Sequence, residues 1–381
     1  MQYRRAAIAR GARATVREDP FQRAPATRVW LLLGHKAGDN TQVLALAERL
    51  GWPCEEKRIF YRPWELLTSR LFGVTLAGID RARSSPLVAP WPDLVLSSGR
   101  RNEAVARWIQ RCSGGHARIV HLGRPWVHPG CFDLVVATPQ YPLGDFPNVL
   151  MNSLPLHRLS EASLAAARTR WASALAPLPA PRTAVLLGGN SGASVFTPAK
   201  ARRLGEMVNG LARSRGGSVL VTDSARTPPG VLESFLAAID VPQYVHRWGR
   251  SAADNPYLGY LALAEQFVVT ADSVSMVAEA EFTGRPVYLF SLDDGPQWWR
   301  RGYNYRFDAL VHRLAMSLGP RRMRRDALGI MRELVLHGRA AWLGDAQPQA
   351  PSGLRRDDTM AAALAVAGLF TTGRGDAGDS R

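Results

Sequence analysis

The sequence predicts an α/β protein of two Rossmann-like, doubly wound domains facing a cleft, and three observations carry that prediction. An apolar run, Val29 to Leu33, leads into a glycine-bearing loop and then a helical pattern. The same order of strand, glycine loop and helix restarts at Thr183. Between them an Ala-rich helical stretch, Glu161 to Leu175, gives way to Pro177, Pro179 and Pro181, the composition of a stiffened interdomain connection.

Composition bounds the reading. A chain of 381 residues is long enough for two domains with cores of their own. Its 46% hydrophobic content is that of a globular protein, and no apolar run approaches the ~20 residues of a membrane helix. Cys54, Cys112 and Cys131 lie far apart, which speaks against a disulfide scaffold or a zinc cage and fits a reducing compartment. A cytoplasmic location is expected, with peripheral contact at the inner face of an anionic membrane as a further option. The formal charge of +16 is almost all arginine, since Lys36, Lys57 and Lys200 are the only lysines. Such a balance attracts phosphates of any kind, or else reflects a GC-rich genome. No helix-turn-helix, RNA-binding or zinc pattern accompanies it, so no specific nucleic-acid partner is expected.

Residues 1–26 carry six arginines against Glu18 and Asp19 and read as a disordered basic tail, or as a start placed too early. The first domain is expected over 27–158. Its opening loop, Gly34-His35-Lys36-Ala37-Gly38-Asp39-Asn40, precedes a helix with Val43, Leu44, Ala47 and Leu50 on one face. The loop has neither G-x-G-x-x-G nor G-K-[ST], so it is not a dinucleotide or P-loop fingerprint. Gly34 and Gly38 permit close backbone approach, and Lys36, Asp39 and Gln42 can point into a cleft; an ordinary tight turn with an Asp cap explains the loop equally well. Strands at Asp93–Leu96, Ile119–Leu122 and Asp133–Ala137 end in loops bearing Ser98, Arg100, Arg124 and Gln140. All of these fall on the carboxyl edge of a parallel sheet, where ligands bind.

After a linker over 159–182, the second domain is expected over 183–320. Its first strand runs into Gly188-Gly189-Asn190-Ser191-Gly192, where two glycines let the backbone approach a phosphate and Asn and Ser add donors. A Thr-Pro pair at 197–198 opens the next helix. The strand at Ser218–Thr222 ends in a loop with Arg226, whose planar fork suits a phosphate, or equally a helix cap or solvent. The apolar run Phe267–Val269 precedes Thr270-Ala271-Asp272-Ser273-Val274-Ser275, with Asp272 and Ser273 both candidate N-caps. Ser275 and Glu279, four apart, share a helix face. The stretch 321–345 predicts a helix packing back on the body. Its arginines Arg325, Arg332 and Arg339 are either solvated or aimed at an anionic membrane. The tail over 346–381 is expected to fray, with one Ala-rich segment.

Three of these stretches carry a resemblance. Gly188 to Gly192 looks like the G-G-S-x-G loop opening the donor domain of the lipid-II-forming N-acetylglucosaminyltransferase, and Ala271 to Ala280 looks like that enzyme's helix-start loop. The Gly34–Gln42 and Ser224–Pro228 loops, Asn255-Pro256-Tyr257 and the Thr270–Ala280 run are similar to bacterial members of the elongated-mitochondria (mitochondrial fission factor) family. That family is read as nucleoside-diphosphate-sugar glycosyltransferases of the GT-B superfamily, and the resemblance covers roughly Val29 to Leu343.

The resemblance implies a nucleoside-diphosphate sugar as co-substrate and no required cofactor or metal. It implies donor contacts from Gly188, Gly189, Asn190, Ser191, Arg226, Ser273, Val274 and Ser275, with Glu279 on the ribose. The acceptor side falls to Gly34, Lys36, Gly38, Gln42, Ser98 and Arg100. Asp39, then His35, are the candidates to take the acceptor proton. Plant relatives of the family are linked to mitochondrial fission, so a non-catalytic scaffold that recruits a protein partner is the alternative. Sugar, base, acceptor and oligomeric state are not legible in the sequence.

Overall fold

The computed structural model describes residues 27–65, 73–191, 194–249, 254–293, 314, 317–318, 326–345 and 357–371. The basic tail, Gly192, the Asp294 to Arg325 stretch apart from three residues, and 346–356 therefore lie outside what is described.

Two parallel six-stranded sheets form the body, as the paired strand–loop–helix starts predict. The first contains β1 (Val29–Leu33), β2 (Cys54–Arg58), β3 (Leu94–Ser98), β4 (Arg118–Leu122), β5 (Leu134–Ala137) and β6 (Val149–Met151), in the order β2-β1-β3-β4-β5-β6. The second contains β7 (Arg182–Leu186), β8 (Ser218–Thr222), β9 (Gln243–His246), β10 (Gln266–Thr270), β11 (Val287–Phe290) and β12 (Ala341–Trp342), in the order β12-β11-β10-β7-β8-β9. Strands β1, β3, β8 and β10 are buried along their whole length, because helices cover both faces of a parallel sheet and leave no solvated side.

Strand order fixes where a ligand can enter. In the first sheet the chain leaves β1 toward β2 on one side and reaches β3 on the other, so the topological switch lies between β1 and β3. In the second it lies between β7 and β10, the arrangement of the Rossmann order read from β9. Helices α1 (Ala37–Leu50) and α2 (Arg100–Cys112) start at the first switch point. At the second switch point α7 (Val274–Phe282) starts immediately after β10. The remaining helices are α3 (Glu161–Leu175), α4 (Pro198–Arg213), α5 (Val231–Leu236), α6 (Tyr257–Leu263), α8 (Ala327–Leu336) and α9 (Asp358–Thr371).

Two segments do more than the sequence suggests. Helix α3, expected as a connection, buries Leu164, Ala167 and Leu175 in the second domain's core, and its Arg168 donates to the Ala262 carbonyl. The expectation that the chain beyond Gly344 frays fails for α9. Its Ala362, Ala363, Val366 and Ala367 are buried in the first domain's core beside α1. The small alanine face lets two helices approach closely, and Asp358 Oδ2 accepts the Leu154 amide at 2.9 Å to fix the entry. Helix α8 buries Ile330, Met331 and Leu334, while Arg332 pairs with Asp326 at 2.6 Å and Arg339 with Glu281 at 2.9 Å. Among the described residues no helix is long and apolar enough to cross a membrane.

Candidate functional site

At the first switch point the loops after β1 and β3 enclose a cavity of about 300 Å³. Its walls include Gly34, His35, Lys36, Asp39, Gln42, Ser98 and Arg100, so the acceptor-side residues expected from sequence share one space, apart from Gly38. Local chemistry shapes it. Asn40 in the first turn of α1 grips Gly34 twice, accepting its N–H and donating to its carbonyl, each at 2.9 Å. Asn102 in α2 donates to the carbonyls of Leu32 and Ser98 and accepts from the Tyr61 hydroxyl, stitching β1 to β3. Gly99 sits at φ +75, a conformation that favours glycine, and an added Cβ would also oblige the Asp39 carboxylate to move. The Ser98 hydroxyl donates to the Leu122 carbonyl at 3.0 Å, so it serves the sheet.

The wall is basic. Arg100 lies over the Trp126 ring at 4.2 Å, Arg124 over Tyr141 at 5.5 Å, and Arg101 pairs with Glu65 at 3.1 Å. Neither α1 nor α2 has a side-chain cap on its first turn, whereas Ser160 caps α3 and Thr197 caps α4. Partial burial of an otherwise exposed residue, then Arg101 and Lys36, hold the His35 imidazole below its usual pKa, with Asp39 opposing them. The ring is therefore neutral at pH 7 and able to accept a proton.

Glu103 is not among the residues the sequence singles out. Its carboxylate accepts the amides of Trp126 and Val127 at 2.7 and 3.2 Å and so holds the loop that carries Arg124 and Trp126. Burial pushes its pKa up to about 7, with the two amides pulling the other way. The folded chain thus binds this proton more tightly than the unfolded one, whose value is near 4.5. The stability so gained is complete below about pH 4.5 and is lost as pH rises through about 7. Glu103→Gln is expected to flatten the fall in thermal stability between pH 5 and 8. Gln keeps one acceptor for the two amides, so Glu103→Gln should be less stable than wild type at pH 5 and the deficit should narrow by pH 8, read by thermal denaturation across that range.

At the second switch point the glycine loop follows a different logic from the one expected. The Gly188 amide donates to Thr270 Oγ1 at 2.8 Å and the Gly189 amide to Asp272 Oδ2 at 2.9 Å. The Asn190 amide goes to the Arg226 carbonyl and that of Ser191 to the Ser194 carbonyl. These donors, expected to face a phosphate, are spent inside the protein. The close approach that the glycines permit is likewise internal. A Cβ on Gly188 would lie 2.8 Å from Asp272 Cγ, and one on Gly189 would lie 2.6 Å from the Thr227 amide nitrogen and overlap the Arg226 carbonyl. The Asn190 side chain accepts the Phe196 amide at 2.9 Å.

Asp272 is the hub of this arrangement. Its fully buried carboxylate also pairs with Arg226 at 3.0 Å. Burial raises its pKa, with Arg226 and the Gly189 amide pulling it down. Ser273, not Asp272, takes the N-cap position of α7, and its side chain makes no capping hydrogen bond. The first turn of α7, with Val274 and Ser275, is the end that carries the helix dipole's positive pole. Ser275 is exposed beside it, and Arg226 is 42% exposed, enough to reach a ligand. Glu279, half-buried further along α7, accepts a hydrogen bond from the Tyr257 hydroxyl. Burial lifts its carboxyl to about 7, against the Tyr257 bond. Asp272 and Tyr257 have a sequence signal in their positions beside predicted helix starts, but nothing in the sequence shows what their side chains reach.

Fold and site together define a two-domain α/β protein with a polar site at the carboxyl edge of each sheet. The model of the mitochondrial fission ELM1 family matches residues 37–317, and the chain belongs to that family. It is 30% identical over 227 residues to mitochondrial fission protein ELM1 of Arabidopsis thaliana, across 53% of this chain and 52% of the plant protein. The chain thus matches about half the length of that relative. It is 21% identical over 327 residues to the uncharacterized protein RP120 of Rickettsia prowazekii (strain Madrid E), across 75% of this chain and 86% of that one. Among solved structures it is similar to MurG of Acinetobacter baumannii, at TM-score 0.40 and 14% identity over 90% of this chain and 99% of that one. It is also similar to a UDP-GlcNAc 2-epimerase of Methanocaldococcus jannaschii, at TM-score 0.44 and 11% identity over 81% and 99%. The fold assignment rests on the two sheets themselves.

Proposed function

We propose that the chain is a glycosyltransferase that takes a nucleoside-diphosphate sugar at the second switch point and an acceptor in the first-domain cavity. The observation that carries this reading is the grouping at the end of β10. There the α7 N-terminus lacks a side-chain cap, Arg226 stands beside it on Asp272, and Glu279 follows on the same helix. The diphosphate lies against the first turn of α7, where the dipole and the guanidinium favour negative charge. Glu279 accepts the ribose hydroxyls. On the acceptor side His35 takes the hydroxyl proton, with Asp39 next to it to stabilise the imidazolium. The acceptor oxygen bonds to the sugar carbon as the carbon–phosphate oxygen bond breaks, and the nucleoside diphosphate leaves with the electron pair. Helix terminus and basic side chains supply the stabilisation of the leaving group.

Glu279→Ala is expected to weaken nucleoside-diphosphate binding by about 10-fold or more, the loss of a hydrogen bond to a charged group. The carboxylate accepts best when ionised, so wild-type affinity for a nucleoside-diphosphate sugar, whose diphosphate does not titrate between pH 6 and 8, should rise as pH passes upward through about 7 and stay flat in Glu279→Gln. Calorimetric titration at pH 6 and pH 8 reads both. Affinity unchanged in Glu279→Ala removes the ribose assignment. A folded chain that captures a protein partner and responds to no nucleotide would favour the scaffold reading.

A further inference from the structure

We propose that Tyr257 is a positioning residue of the donor site: from the first turn of α6 its hydroxyl holds Glu279 Oε2 and so leaves Oε1 to the ribose hydroxyls. The proposal rests on the glycosyl-transfer reading, which gives Glu279 that ligand.

The Glu279 carboxyl is asymmetric in the folded chain. Tyr257 donates to Oε2. Among the described residues no protein group donates to Oε1. Yet Oε1 is not one of the sealed, unsatisfied atoms of the interior, as Asp272 Oδ1 is, so it keeps access to solvent. A carboxylate has about four acceptor positions, two on each oxygen. With Oε2 engaged, Oε1 keeps the open pair that a vicinal diol needs.

The donor of that bond sits on a firmly held element. Asn255 Oδ1 accepts the Tyr257 amide at 3.0 Å and seats the ring at the start of α6, with Pro256 at the N-cap. Two residues on, Gly259 lets α6 close on α3, since a Cβ there would stand 2.5 Å from Cγ of Trp171. The buried Tyr260 hydroxyl donates to the Tyr244 carbonyl at 3.2 Å and ties α6 to β9. Glu279, by contrast, is a long side chain on α7 whose ordering costs entropy. A fixed donor on a second helix orders it before the ligand arrives.

The same bond sets the charge. Burial, then the neighbouring Glu279 carboxylate, hold the Tyr257 pKa well above its ordinary value, so the hydroxyl keeps its proton and remains a donor. Burial lifts Glu279 to about 7, and among the described residues Tyr257 is the group that pulls against it. Without the hydroxyl, burial acts unopposed and the carboxyl stays protonated to higher pH. A protonated carboxyl is the weaker acceptor.

The test is calorimetric titration of the full-length protein with UDP-glucose, GDP-mannose and ADP-glucose between about pH 6 and about 8.5, the tightest of the three serving as the probe. Tyr257→Phe keeps the ring and removes the hydroxyl. It should weaken the probe about 5-fold or more at pH 7. It should also move the midpoint of the affinity rise upward by about one pH unit, so that raising the pH recovers part of the loss. In Glu279→Gln, with or without Tyr257→Phe, the profile should be flat. A loss of the same size at every pH would mean that Tyr257 only supports the fold. That result, a flat wild-type profile, or wild-type affinity and midpoint in a normally melting Tyr257→Phe would overturn the proposal and leave nucleotide binding standing. If Tyr257→Phe does not fold, Asn255→Ala, which frees the turn that seats the ring, should move the midpoint the same way, and an unmoved midpoint there overturns the proposal equally. If none of the three probes binds wild type, the glycosyl-transfer reading fails and this proposal with it.

Discussion

Gly189→Ala is expected to lower unfolding stability by about 1–3 kcal/mol and to abolish nucleoside-diphosphate binding at concentrations that saturate wild type. The added methyl overlaps the Arg226 carbonyl and sits 2.6 Å from the Thr227 amide nitrogen. Both are backbone atoms, so no side chain can swing away to relieve the clash. One of the two loops must move, and they are tied at several points. The Asn190 amide donates to the same Arg226 carbonyl at 3.2 Å, and the Thr227 and Ser224 hydroxyls both donate to the Gly188 carbonyl. A shift separates the Gly189 amide from Asp272 and takes Arg226 away from α7. Denaturant titration reads the first effect and calorimetry the second. Gly210, in α4, has open space within 4 Å of where a Cβ would stand, so Gly210→Ala is the control that should not destabilise.

The second large effect is on turnover. His35→Ala should reduce sugar transfer by about 10²- to 10⁴-fold while leaving nucleotide affinity unchanged, the range for loss of a general base. The imidazole is held below its ordinary 6.5, so it stays neutral into mildly acidic solution. Wild-type activity should therefore persist as pH falls to 6.5 and drop only below it, as the ring takes a proton. Release of nucleoside diphosphate from a nucleoside-diphosphate sugar measures the rate. If Asp39 is the base instead, Asp39→Asn will carry the larger loss and His35→Ala will keep most of the activity.

Much of this architecture is legible in the residues. Runs such as Val29–Leu33 and Phe267–Val269 have only one comfortable home, the interior of a parallel sheet. Strand-end logic then places Lys36, Gln42, Ser98 and Arg100 on one edge, and the cavity gathers them. What escapes has physical reasons. Strand β2, Cys-Glu-Glu-Lys-Arg, is an edge strand exposed at four of five positions, so it has no apolar signature. Helix α9 packs through alanines, a weak pattern that reads as a fraying tail until the surface of α1 is seen. Its stripe at 362, 363, 366 and 367 does have helical spacing. Asn102 and Glu103 stand on the buried stripe of α2 with Val105, Ala106 and Ile109, and polar residues in that stripe are the available signal.

The glycine loop at 188–191 shows a different limit. Sequence reveals that the backbone must come close to something, but not whether that is a ligand or the protein. Here it is Asp272 and the Arg226–Thr227 backbone, so the proposed function gives the anion-facing role to the start of α7 instead. The same shift turns Arg226 from a free clamp into a residue already seated on a buried carboxylate. A diphosphate bound as proposed would compete with Asp272 for that guanidinium, or share it.

The proposed sugar transfer depends above all on a nucleoside-diphosphate sugar binding at the second switch point. Thermal unfolding of the full chain against UDP-, GDP-, ADP- and CMP-linked sugars tests that most directly. At 100-fold excess over Kd, one of them should add about 2.7 kcal/mol of stability, a rise of a few degrees in Tm. A panel in which none of the four shifts the Tm, with none detected by calorimetry, would contradict it.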